Sequence, residues 1–226
     1  MTKGIEHHQF KKSPVGDIPE KWDVKPFKEI TDVLKCGVAS TPKYVEEGIP
    51  FLSAQNVKGG KVSLEKYNFV SEDYHKDLTK KVKPQKGDIL YTRVGAGIGN
   101  AAIVDFDMEF SVYVSLTLIR MKNELSSEFY KYLLNSPIYQ RKAKVDLYAG
   151  GGVPNLNVKV VEKFPMVIPP LEEQLKIVEI LKHHDCRIES ELNFLSNLKV
   201  IKQGLMQQLL TGKVRVTINE NEEVPS

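Results

Sequence analysis

Pro169-Pro170-Leu171-Glu172-Glu173-Gln174 opens a stretch that closes on Leu209-Leu210-Thr211-Gly212-Lys213, with no proline between residues 171 and 213. Apolar residues recur at Ile177, Leu181, Ile188, Leu195, Leu198, Leu205 and Leu209. His184, Glu191 and Lys202 fill the remaining places of a strict alternation of four and three. That spacing is a heptad seam, which keeps one stripe of an α-helix facing a second helix along its length. Glu172 and Glu173 lie in the first turn, where the helix dipole favours negative charge. Gly204 inside the helix costs about 1 kcal/mol relative to alanine, and Gly212 is a natural C-cap. At 1.5 Å per residue such a helix is roughly 60 Å long. A stripe of that length needs a partner, so the chain is expected to be a module of an assembly rather than a self-contained enzyme.

The remainder reads as α+β: a globular mixed α/β domain over residues 1–168, the long helix over 169–213, and an acidic tail over 214–226 expected to be disordered. Residues 1–17 are polar and read as an arm, with Trp22 anchoring the domain's core. Strands are predicted at Gly48–Ser53, Ile89–Val94, Ala101–Val104, Val112–Met121 and Val160–Ile168. Gly59-Gly60 and Lys86-Gly87-Asp88 read as turns, Lys61–Leu64 as the answer to the first turn, and Gly150-Gly151-Gly152 as a break. A short helix is predicted over Glu72–Lys80 with Ser71 as its cap. A second spans Ser127–Val145, where Pro137 is expected to kink or split it.

No apolar run approaches the roughly 18 residues of a membrane span, and the first residues lack an apolar signal region. Cys36 and Cys186 lie far apart without metal-ligand spacing, as free thiols of a reducing cytoplasm would. Residues 1–168 carry 25 Lys and Arg against 20 Asp and Glu, a net +5, and residues 169–226 carry 7 against 9, a net −2. A basic globular part suits a nucleic-acid partner.

Gly95-Ala96-Gly97-Ile98-Gly99-Asn100 follows a strand, but its spacing is not G-x-G-x-x-G and a further strand follows it, so a dinucleotide site is not expected. A hairpin loop through which backbone can approach a phosphate or base fits better. His7, His8, His75, His183 and His184 neighbour no nucleophile in a recognisable arrangement. Asp105, Asp107 and Glu109 read as a solvated hairpin tip rather than a metal site. No catalytic residue, metal or cofactor is therefore assigned to the chain. What remains is binding chemistry. Lys43, Gln55, Asn56, Lys58, Lys61, Arg93, Asn100, Asn155 and Asn157 fall in or beside predicted loops. Arg, Asn and Gln can read guanine or adenine edges, and Lys and Arg can neutralise phosphates. Arg141, Lys142 and Lys144 form a basic cluster suited to phosphate.

If the seam pairs with a second copy, a parallel arrangement sets Lys202 against Lys202. An antiparallel arrangement centred near Asn193 avoids that repulsion. It sets Ile177 against Leu209, Leu181 against Leu205 and Ile188 against Leu198, and it groups His184 with Lys202 in one polar layer that can fix register. Glu191 against Leu195 is the poor match.

The chain resembles the specificity subunit of type I restriction–modification systems. Gly16-Asp17-Ile18-Pro19-Glu20-Lys21-Trp22, Lys86-Gly87-Asp88-Ile89-Leu90, Val153-Pro154-Asn155-Leu156-Asn157, Ile168–Gln174 and Gly204–Gly212 carry the likeness by order and spacing. Typical members alternate two target-recognition domains with two long helices that pair antiparallel, whereas this sequence has one of each. The resemblance implies a non-catalytic subunit whose recognition domain reads half of a bipartite site in double-stranded DNA. It implies a helix that is both spacer and docking surface for a methyltransferase (M) subunit, with a restriction (R) subunit as a further partner. Contact residues do not carry over by motif. Two alternatives remain open: a truncated piece of a full-length subunit, and a methyltransferase with its own cofactor site.

Overall fold

The computed structural model describes residues 7–38, 42–145 and 154–216. They fall into two compact units that divide after Val178. In chain order the first runs β1 (Phe10–Ser13), β2 (Gly16–Pro19), β3 (Asp23–Pro26), a 3-10 turn (Phe27–Ile30), β4 (Thr31–Cys36) and β5 (Ile49–Leu52). A 3-10 turn (Ala54–Asn56), β6 (Val57–Lys58), β7 (Lys61–Val62), β8 (Asn68–Val70), α1 (Glu72–Thr79), β9 (Ile89–Thr92) and β10 (Ala101–Ile103) follow. The last elements are β11 (Ser111–Val112), β12 (Leu116–Met121), α2 (Ser127–Asn135), α3 (Pro137–Val145), α4 (Val158–Glu162), β13 (Pro165–Ile168) and the opening turns of α5 (Leu171–Leu209), which from residue 179 on belongs to the second unit.

Ile89-Leu90-Tyr91-Thr92 is buried on both faces, as a continuous run of apolar and aromatic residues demands of a central strand. It lies inside a six-stranded sheet of order β4-β12-β9-β10-β7-β6. Side chains alternate between two cores, as the two-residue period of a strand requires. Ile89, Tyr91, Ile119 and Met121 join Phe27, Tyr130, Leu134, Tyr139 and Met166 on one side. Leu90, Leu116 and Leu118 join Leu52, Ala102 and Phe110 on the other. Three strands, β11-β5-β8, form a second sheet.

The recurring motifs prove to be ties between distant segments. Trp22 donates its indole N–H to Glu173 Oε2 at 2.9 Å, and His7 Nε2 lies 2.6 Å from Glu173 Oε1. Gln174 is fully buried; its amide donates to Pro169 O at 2.8 Å and accepts from Ser126 N at 3.0 Å. The segment Gly16–Trp22 and the first turn of α5 thus hold each other. Val178 belongs to the core and Ile177 packs against it. The compact unit therefore runs past Ile168 to Val178, and Ile177 is withdrawn from the predicted dimer seam because its own domain covers it.

Three other sequence expectations change. The arm contains the hairpin β1–β2, with Phe10 opposite Pro19; Gly16 at φ +106° makes its turn. Val112–Met121 is two strands in different sheets, interrupted at Tyr113–Ser115. Val160–Ile168 opens as helix, not strand, because the Asn157 side chain caps α4 by accepting from Lys159 N at 2.9 Å. His75, on α1, is buried at 4% exposed. Other expectations hold: Pro137 ends α2 and starts α3, the first helical position suiting its fixed φ and missing N–H. Ser71 accepts from Tyr74 N to cap α1.

In the second unit α5 continues to Leu209, and Gly212 at φ +68° closes it by donating to Leu209 O. Leu181, Ile188, Leu195, Leu198, Leu205 and Leu209 are exposed. So are Ile180, Leu192, Phe194, Ile201 and Met206, which in the same heptad flank the seam on either side. The apolar band is wider than a two-stranded seam requires. Gly150–Gly152 and residues 217–226 of the acidic tail lie outside the described residues. Among the described residues no helix is long and apolar enough to cross a membrane.

Candidate nucleic-acid interface

Two groups of the predicted contact residues emerge. The first surrounds the glycine turn. β9 and β10 pair antiparallel, so Gly95–Gly99 is a hairpin loop as the sequence suggested. Asn135 anchors its far side, donating to Ala101 O and accepting from Ala101 N. Gln140 on α3 donates to Gly99 O at 2.5 Å. Asn100 is half-buried at the loop's end, its carbonyl accepting from Thr92 N. Val94 bridges to Asn155.

Arg93 sits beneath this surface, 8% exposed. It donates to Leu156 O at 2.9 Å, Val114 O at 3.1 Å and Asn155 Oδ1 at 2.8 Å. Each of the three guanidinium nitrogens thus donates to the protein. It holds the Pro154–Asn157 segment against the sheet instead of facing a base, while Asn155 itself is exposed. Arg141 and Lys142 on α3 line a groove of about 650 Å³ together with Asn157, Lys159 and Lys163. Sequence reading missed Lys159 and Lys163 because the segment looked like a strand; the N-cap preference of Asn157 is the signal that would have found them.

The second group is the β6–β7 hairpin at the sheet's edge. Gly59 and Gly60 both have positive φ, as a two-residue hairpin turn requires. Lys58 and Lys61 are exposed and directly opposite each other, which gathers positive charge on the hairpin. Gln55 is exposed in the preceding turn, and Lys43 is exposed before β5. Asn56 does not join them. It is 1% exposed, donates to Ser63 O and Lys66 O, and accepts from Ser53 N at 3.0 Å. Its amide shapes the hairpin from inside.

Asp107 pairs with Lys86 at 2.9 Å and Glu109 pairs with Lys83, so lysines neutralise two of the acidic trio. No group of three or more potential metal ligands occurs among the described residues. His75 Nδ1 lies 2.8 Å from Ser111 Oγ and Nε2 lies 3.5 Å from Glu109 Oε2. Burial pushes the imidazole's pKa below its ordinary value, against the pull of Glu109, with Lys83 and Lys76 also lowering it. The unfolded imidazole takes its proton near pH 6.5, whereas the folded one resists it. The unfolded state therefore binds more protons as the pH drops through that range, and stability is lost on acidification. Denaturant titrations between about pH 7.5 and 5.5 are expected to show this loss, and His75→Gln to flatten it.

The fold matches that of the HsdS subunit from Thermoanaerobacter tengcongensis, with a TM-score of 0.61 at 18% identity over 88% of this chain and 47% of that one. The family model for the type I restriction modification DNA specificity domain matches residues 19–199, and the chain belongs to that family. It is 33% identical over 222 residues to the type I restriction enzyme MjaVIII specificity subunit of Methanocaldococcus jannaschii, covering 96% of this chain and 52% of that protein. It is 27% identical to the putative MjaX specificity subunit of the same organism, with 95% and 51% covered. The chain thus spans about half the length of the curated relatives it matches.

Proposed function

We propose that this chain is a non-catalytic DNA-recognition subunit that works as a homodimer. Each copy reads one half of a bipartite site, and the two copies pair through antiparallel α5 helices from Leu181 to Leu209. The observation that carries this reading is the heptad seam of α5, whose apolar residues from Leu181 to Leu209 are exposed. Twofold symmetry requires equal half-sites, so the target is an interrupted palindrome. A helical spacer of roughly 60 Å corresponds to under two turns of B-DNA at about 34–36 Å each. The glycine loop with Asn100 and Asn155, and the hairpin bearing Lys58 and Lys61 with Gln55 in the turn before it, face the DNA. Adenine methylation, and any cleavage, belong to M and R subunits that bring their own methyl donor and ATP.

Co-expression with an M subunit, followed by genome-wide mapping of modified adenines, tests this. The expected result is a symmetric bipartite motif. An asymmetric motif would assign the second half-site to a different chain and make this one half of a heteromer. Absence of modification, together with no preference among duplexes, would overturn the recognition role.

A further inference from the structure

The groove between α3 and α4 is the strongest unassigned feature of the first unit. Arg141 and Lys142 enter it from α3, Lys159 from α4, and Lys163 from the residue after α4. Its floor is apolar, with Val160 and Phe164 among its residues, and among the described residues no carboxylate lines it. None of the four cations pairs with a carboxylate among the described residues, whereas Lys76, Lys80, Lys83 and Lys86 elsewhere in the unit all do. Four like charges converging on a groove repel one another, and an anion held among them relieves that repulsion. An apolar floor lets long cationic stems lie flat with their charged heads outward.

We infer that this groove holds the sugar–phosphate backbone of duplex DNA and supplies affinity independent of sequence. The inference rests on the recognition role proposed above. Three observations favour backbone over base edges. Three of the four cations are lysines, compact point charges without the planar fork that reads guanine. The fourth, Arg141, donates its Nε to Pro137 O on its own helix. The groove also adjoins the candidate base-reading surface. Gln140 on α3 holds Gly99, and Asn157 at the groove's wall lies two residues from exposed Asn155. Base-reading loops beside a phosphate track is the usual division of labour, in which backbone contacts position and base contacts specify.

The test uses the chain assembled with its M subunit. Binding to a target duplex and to a scrambled duplex is measured across a salt series, for the wild type and for the double variant Lys159→Gln/Lys163→Gln. Losing two phosphate contacts is expected to make the slope of log K against log salt shallower by roughly 1–2. Affinity should fall by the same factor on both duplexes. Lys76→Gln/Lys80→Gln on α1 is the control and should leave the slope alone. All four lysines are exposed, and matched melting temperatures confirm intact folding. An unchanged slope in the groove variant overturns the inference while leaving DNA recognition intact. So does a loss confined to the target duplex, which would make these lysines base readers. A wild-type assembly that binds both duplexes alike overturns the recognition role instead.

Discussion

Leu198→Asp is expected to leave the chain monomeric. In the antiparallel arrangement Leu198 faces Ile188, and twofold symmetry introduces each substitution twice. Each copy loses about 2–3 kcal/mol of apolar burial. Each also places a carboxylate against an aliphatic side chain, where it either pays desolvation or forces the helices apart. The combined loss of 5 kcal/mol or more corresponds to a dissociation constant raised over a thousandfold, since every 1.4 kcal/mol is about tenfold. Leu198 is exposed in the single chain, so the melting temperature of the domain should not move. Sedimentation across a concentration series reads both states. Glu191→Leu, which replaces the carboxylate facing Leu195, should act in the opposite direction. A wild-type chain that stays monomeric alone and with its M subunit would sink the homodimer.

Arg93→Met is expected to destabilise the domain rather than simply weaken DNA binding. The side chain is nearly enclosed and bonds two backbone carbonyls and the Asn155 amide oxygen. Methionine fills much of the space but leaves three acceptors without a donor, and bonds from charged groups are worth about 1.5–3 kcal/mol each. Partial access to water at Asn155 reduces the total to about 3–4 kcal/mol. For a domain of this size that lowers the melting temperature by about 10 °C. Thermal unfolding checks it, with Lys58→Gln as the surface comparison expected to melt like the wild type. An Arg93→Met protein of normal stability that no longer selects its target would make Arg93 a base reader.

The long helix was the most legible part of the sequence, because a heptad repeated over forty positions leaves few alternatives. Ser71 and Pro137 announced their helix boundaries through side-chain and ring chemistry that acts within a few residues. The errors arose where distant segments decide. Asn56 and Arg93 have the chemistry of base readers, and only tertiary structure reveals that carbonyls of Ser63, Lys66, Leu156 and Val114 have claimed them. Val160–Ile168 reads as one strand until the Asn157 cap, which starts α4 at Val158, is weighed. Ile177 obeys the seam's spacing, yet the same helix crosses from core to surface within one turn, and periodicity does not register that crossing.

Trp22 is the chain's single tryptophan. Its indole is bonded to Glu173, with the His7 ring edge-on at 6.1 Å. The protein therefore carries an optical gauge fixed at one place, where the N-terminal hairpin meets the opening of the long helix. Loosening of that junction alters the polarity around the indole and shifts its emission without any attached label. Events confined to residues 179–216, which hold no tryptophan, stay dark to it, so emission and hydrodynamic mass report on separate parts of the same molecule.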